Sequence, residues 1–81
     1  MKTIDSPAKF VAAGRQYGWF MSLEQRLDSA THYATCGDVM ITVHYDSMWR
    51  IRSARFTSSG STDRILGGIN AVTDAMRMFG R

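Results

Sequence analysis

The chain has 81 residues, ten of them basic and seven acidic, for a formal net charge of +3; 44% of its residues are hydrophobic and 21% charged. That length supports one domain at most, residues 1–81, and buries only about 60–65% of the unfolded surface, so the core is small. The composition argues against wholesale disorder, and the longest apolar runs fall far short of the ~20 residues needed to cross a bilayer.

Cys36 is the one cysteine. A single thiol cannot close an internal disulfide, so a reducing, cytoplasmic setting is expected. Lys2 is not followed by the apolar run of a secretory signal. Eight of the ten basic residues are arginine, whose planar fork pairs with carboxylates and phosphates. A coding bias towards arginine gives the same count.

Ser6 followed by Pro7 is a helix start signal, with serine as N-cap and proline at the first helical position. A first helix is expected over 7–17, with Phe10, Val11, Ala13 or Gly14, and Tyr17 on one side and Gly18 as terminator.

Residues 19–27 read two ways. Trp19, Met21, Leu23 and Leu27 alternate as in a half-buried strand, while Ser22 and Gln25 can form a helix capping box. The strand is favoured, because the following hairpin needs partners to be stable. In that hairpin Val39, Ile41, Val43 and Tyr45 alternate, Asp46 and Ser47 turn the chain, and Trp49, Ile51 and Phe56 return. Phe56 is out of phase with Ile51, which places a bulge near 53–55. A short strand over 31–36, before a Gly37-Asp38 turn, completes the sheet.

Residues 57–61 read as a polar loop. Ser61 or Thr62 then caps a last helix carrying Ile65, Leu66, Ile69, Val72, Met76 and Phe79 as its apolar stripe, with Gly80 closing it. Gly67 and Gly68 fall inside this helix and suggest close approach to the sheet. The expected fold is α+β: an antiparallel sheet of three to four strands, with the N-terminal and C-terminal helices on one face.

If Val39, Ile41, Val43, Tyr45, Trp49 and Ile51 point inward, Met40, Thr42, His44, Arg50 and Arg52 point outward. This cationic strip is the candidate partner-binding face, with Phe20 as an exposed aromatic anchor. The competing reading is an ordinary solvated face, its arginines paired with Asp38, Asp46 or Glu24. His32, Cys36, Asp38 and His44 lack the spacing of a zinc finger, and a Cys36–histidine nucleophile has nothing further to recommend it. No phosphate loop or carboxylate pair stands out, so neither catalytic residues, a metal nor a cofactor is expected.

The order of helix, sheet and helix resembles a double-stranded-RNA-binding domain. That family grips RNA largely through lysines opening its second helix; the matching positions here are Ser61, Thr62, Asp63 and Arg64, of which only Arg64 is basic. The small basic chain without a catalytic motif also looks like the orphan inhibitors of phages and mobile elements, such as anti-CRISPR proteins. That resemblance implies a non-enzymatic inhibitor that works by sterically occupying a partner; the strip of Thr42, His44, Arg50 and Arg52, read from the strand alternation, is the surface expected to meet an acidic protein or ribonucleoprotein. A nucleic-acid-binding module using the same strip is the alternative, and a small homo-oligomer joined at exposed sheet edges a third.

Overall fold

A computed structural model describes residues 6–81. Its elements run α1 (Ser6–Tyr17), β1 (Phe20–Gln25), β2 (Ala30–Cys36), β3 (Val39–Tyr45), β4 (Ile51–Ser58), β5 (Ser61–Arg64) and α2 (Gly68–Phe79). The strands form one antiparallel meander in the order β1-β2-β3-β4-β5. The fold is therefore α+β, as expected, with one strand more than anticipated. No helix of the described residues is long and apolar enough to cross a membrane.

Alternation drives the packing. On β3, Ile41, Val43 and Tyr45 are fully buried, and on β2 the inward positions are Ala30, His32, Ala34 and Cys36. Phe10 and Ala13 of α1 and Val72 and Met76 of α2 close over them. The small side chains of Ala30, Ala34 and Ala54 let the helices sit close to the sheet. Trp19 ties the layers together: its indole Nε1–H donates to the Met76 carbonyl at 3.0 Å. The chain end is clamped alongside, with Arg81 N–H donating to Tyr17 O at 2.7 Å. A Cβ on Gly80 would lie 2.6 Å from the carbonyl oxygens of both Met76 and Tyr17, so only glycine fits there.

Two sequence expectations need correction. The last helix begins at Gly68, not near Ser61. Gly67 (φ 109°) and Gly68 (φ 74°) do not sit inside the helix against the sheet; they turn the chain into it through left-handed backbone that other residues adopt at a cost. Residues 61–64 are instead the edge strand β5, reached through a two-residue turn at Ser59 (φ 50°) and Gly60 (φ 82°). The bulge also lies earlier than expected. Tyr45 pairs with Ile51 and His44 with Ser53, leaving Arg52 as the extra residue.

The core contains one polar pair. His32 is 5% exposed, stacked on Phe10 at 4.7 Å, and its Nδ1 lies 2.8 Å from the hydroxyl of fully buried Tyr45. Burial pushes the His32 pKa down and the Tyr45 pKa up, so both are neutral at pH 7. Because the His32 pKa is lower folded than unfolded, its contribution to stability is fully present above pH 6.5, the ordinary value. It is lost as pH falls from 6.5 towards the depressed folded value, where the unfolded chain binds the extra proton. Urea melts between pH 8 and 5 are expected to show this decline. Tyr45→Phe, which orphans Nδ1, should cost about 1–3 kcal/mol at pH 8. A Tyr45→Phe midpoint equal to wild type would refute the pair's structural role.

Candidate functional site

Both helices lie on one side, so among the described residues no layer covers the other side of the sheet. The strand register fixes what it presents. One cross-strand row is Glu24, Thr31, His44 and Ser53; the next is Ser22, Tyr33, Thr42, Arg55 and Arg64; the third is Phe20, Thr35, Met40, Thr57 and Thr62. None of these side chains is buried. Five strands make the face about 19 Å wide.

The expected site residues fare unequally. Thr42 and His44 stand on this face, half-buried, with Thr31 Oγ1 hydrogen bonded to His44 Nδ1 at 3.1 Å. Phe20 begins β1 and is 81% exposed at the far margin of the same face. Arg52, the bulge residue, is exposed and joins Thr31, His44, Ser53, Arg55 and Arg64 around a shallow depression of about 390 Å³.

Arg50 does not join them. It precedes β4, in the loop from Asp46, and its Nε lies 3.0 Å from Asp46 Oδ2. Asp46 organises this loop. Its Oδ1 accepts from the backbone N–H groups of Met48 and Arg50, and its own N–H donates to Arg50 O. These hydrogen bonds, that from the Arg50 amide first, hold the Asp46 carboxyl below its ordinary pKa. Trp49 sits between with φ 62°, a conformation rare for a bulky side chain, while its ring packs on Tyr45 at 5.7 Å. The guanidinium of Arg50 thus has a structural partner of its own, one of the three carboxylates the solvated-face reading offered the arginines of the strip.

Sequence reasoning missed Arg55 and Arg64. They occupy directly opposed positions on β4 and β5, and both are exposed. Among the described residues neither they nor Arg52 forms an ion pair. Like charges directly across a ladder are destabilising by roughly 0.2–1 kcal/mol. The signal was present in Ser-Ser-Gly-Ser at 58–61, a hairpin turn that folds residues 61–64 back onto β4. Among the described residues no group of three or more histidine, cysteine, aspartate or glutamate side chains is placed to hold a metal ion. Cys36 is buried on the helix side.

No protein-family model, no curated protein and no solved structure matches this chain.

The opposed arginines give a stability test. Arg64→Thr removes the repulsion and installs a better strand former on an exposed edge. It is expected to raise the urea midpoint in low salt, by the equivalent of about 0.2–1 kcal/mol. Added salt should shrink the difference between the two proteins. A variant less stable than wild type in low salt would mean that Arg64 has a stabilising contact.

Proposed function

We propose that this chain is a non-enzymatic binding protein that docks the uncovered face of its sheet onto an acidic surface of a protein or ribonucleoprotein, blocking that surface by occupying it. The observation that carries this reading is the group of three unpaired guanidiniums, Arg52, Arg55 and Arg64, beside His44 on a rigid face without a covering layer. Cationic side chains kept together against their mutual repulsion suit an anionic partner, whose carboxylates or phosphates accept bidentate hydrogen bonds from arginine. Tyr33 and Thr42, in the same row as Arg55, extend the contact with apolar and hydroxyl surface. Phe20 supplies an anchor at the opposite margin, where a large aromatic gains most from burial in an interface. A rigid, preformed face binds without paying for loop ordering.

A direct nucleic-acid contact is the second reading, favoured by Tyr33 lying in the same cross-strand row as the arginine pair, with Thr42 between, since bases stack on aromatic side chains along a positive track. The double-stranded-RNA-binding layout is less well supported. Here Ser61 to Arg64 form an edge strand, not the start of the second helix, so the basic position that family uses is differently placed.

The Arg55→Glu/Arg64→Glu variant should lose partner capture from a lysate of the source cell while keeping the circular dichroism spectrum. Arg50→Glu should keep most of its capture, because Arg50 is engaged with Asp46. Equal capture by the Arg55→Glu/Arg64→Glu variant and wild type would reject this face. A gel-shift titration with single- and double-stranded RNA at 50 and 200 mM salt separates the readings. A shift that collapses at the higher salt supports direct phosphate contact, and no shift at micromolar protein leaves the protein partner.

A further inference from the structure

A second feature lies on the helix side of the sheet, remote from the arginine face. Pro7, Ala8, Val11 and Ala12 of α1 form one wall of an open groove of about 710 Å³. Leu23 of β1, Trp49 and His32 line the rest, and Arg15 stands at the end of the helical wall. The volume falls within the ~300–1,000 Å³ usual for small-molecule sites. From Pro7 to Arg15 the helix rises about 12 Å, so the groove is long enough for an extended chain.

Its walls are apolar, and two features adapt them to a ligand. The first is His32, whose ring is more than nine-tenths buried. Its Nδ1 is taken by Tyr45, and Nε2 has no partner among the described residues. No unpartnered side-chain nitrogen or oxygen there is sealed from solvent, so Nε2 is accessible where His32 lines the groove. The proton on it follows from the core. The Tyr45 hydroxyl keeps its hydrogen, and His32 Nδ1 is its one hydrogen-bond partner. With Tyr45 donating to Nδ1 its O–H is satisfied and the imidazole hydrogen falls on Nε2; the reverse bond would leave that buried O–H without an acceptor among the described residues. A buried, oriented N–H donor therefore opens into an apolar groove.

The second is Trp49. Its backbone is held in the left-handed region by the hydrogen bonds around Asp46, and its indole packs on Tyr45 at 5.7 Å and lines the groove. Strain of this kind persists where the surroundings over-determine it, and it concentrates at ligand sites.

We infer that this groove binds an amphipathic monocarboxylate of medium chain length, its tail along Ala8, Ala12, Leu23 and Trp49, one carboxylate oxygen accepting from His32 Nε2–H and Arg15 supplying the counter-charge. An acceptor suits the oriented donor, a negative charge complements the cation at the groove's end, and an apolar body matches the walls between.

The test uses the intact chain and sodium decanoate below its micelle concentration, by isothermal titration calorimetry with Trp49 fluorescence in parallel. Saturable one-to-one binding is expected. Arg15→Gln should weaken it roughly tenfold, as for loss of one charge-assisted contact. Ala12→Phe, an exposed helix position that tolerates the larger side chain, should abolish binding by filling the groove without loss of fold. The Arg55→Glu/Arg64→Glu variant should bind decanoate as wild type does, separating this site from the sheet face. Decyltrimethylammonium, with the same tail and opposite charge, should not saturate. Absence of saturable decanoate binding, undiminished binding by Ala12→Phe, unchanged affinity in Arg15→Gln, or equal binding of the cationic probe would each overturn the assignment.

Discussion

The structure depends on one constraint: the chain has apolar side chains enough to bury one face of its sheet and not two. Ile41, Val43 and Tyr45 in the central strand β3 are fully buried under Phe10, Val72 and Met76. At ~25 cal/mol per Å² of apolar surface, such contacts are the main term opposing chain entropy in so short a protein. Both helices are needed on the same side to build them. The consequence reaches the opposite side, which is left without a layer and must be compatible with water. Threonine, serine and charged residues make up most of it for that reason, beside Phe20, Tyr33 and Met40, and the cationic cluster is one choice among the polar patterns that would serve.

Within the buried layer the inward positions of β2 and β4 are small: Ala30, Ala34 and Ala54. The two helices meet at their ends, where Gly80 leaves room for the Tyr17 and Met76 carbonyls. Phe10 stacks on the ring of His32, whose proton is placed by Tyr45. A polar pair in a core this small is tolerated because each partner satisfies the other. Nε2, at the edge away from Tyr45, has no partner among the described residues.

How far the sequence could be read depended on whether burial left a pattern. β3 is buried on one side only, so Val39, Ile41, Val43 and Tyr45 announce themselves, and β1 and β2 follow because a hairpin alone is too weak. β5 announces nothing. Ser61, Thr62, Asp63 and Arg64 are exposed on both faces, and hydropathy cannot tell such an edge strand from a polar loop. Only the turn chemistry of Ser59-Gly60 could have revealed it. Misreading that stretch displaced the start of α2 by about two turns and hid the pairing of Arg64 with Arg55. The bulge had a similar effect at the other end. Alternation continued rigidly through 49–52 places Arg50 and Arg52 side by side. In the folded chain Asp46 withdraws Arg50 into the loop, and the inserted Arg52 shifts the phase so that Arg55 faces outward. Thr42, His44 and Phe20 were legible because they lie on regular strand before any irregularity.

The loop from Asp46 to Arg50 stands between the groove and the open face of the sheet. Its hydrogen bonds spend one carboxylate on the Met48 and Arg50 amides and on the Arg50 guanidinium, and in return Trp49 is fixed in a conformation it would not adopt alone. The loop ends where the bulge at Arg52 begins, so one irregular stretch sets both the groove wall on the helix side and the position of a guanidinium on the open face. Strain of this size is not needed to reverse a chain between two strands: the Gly37-Asp38 turn between β2 and β3 does so with glycine at φ 63°. At 46–50 the left-handed residue is instead Trp49, whose ring packs on Tyr45 and lines the groove, while the bulge that follows sets Arg52 with His44, Arg55 and Arg64 around the depression on the open face.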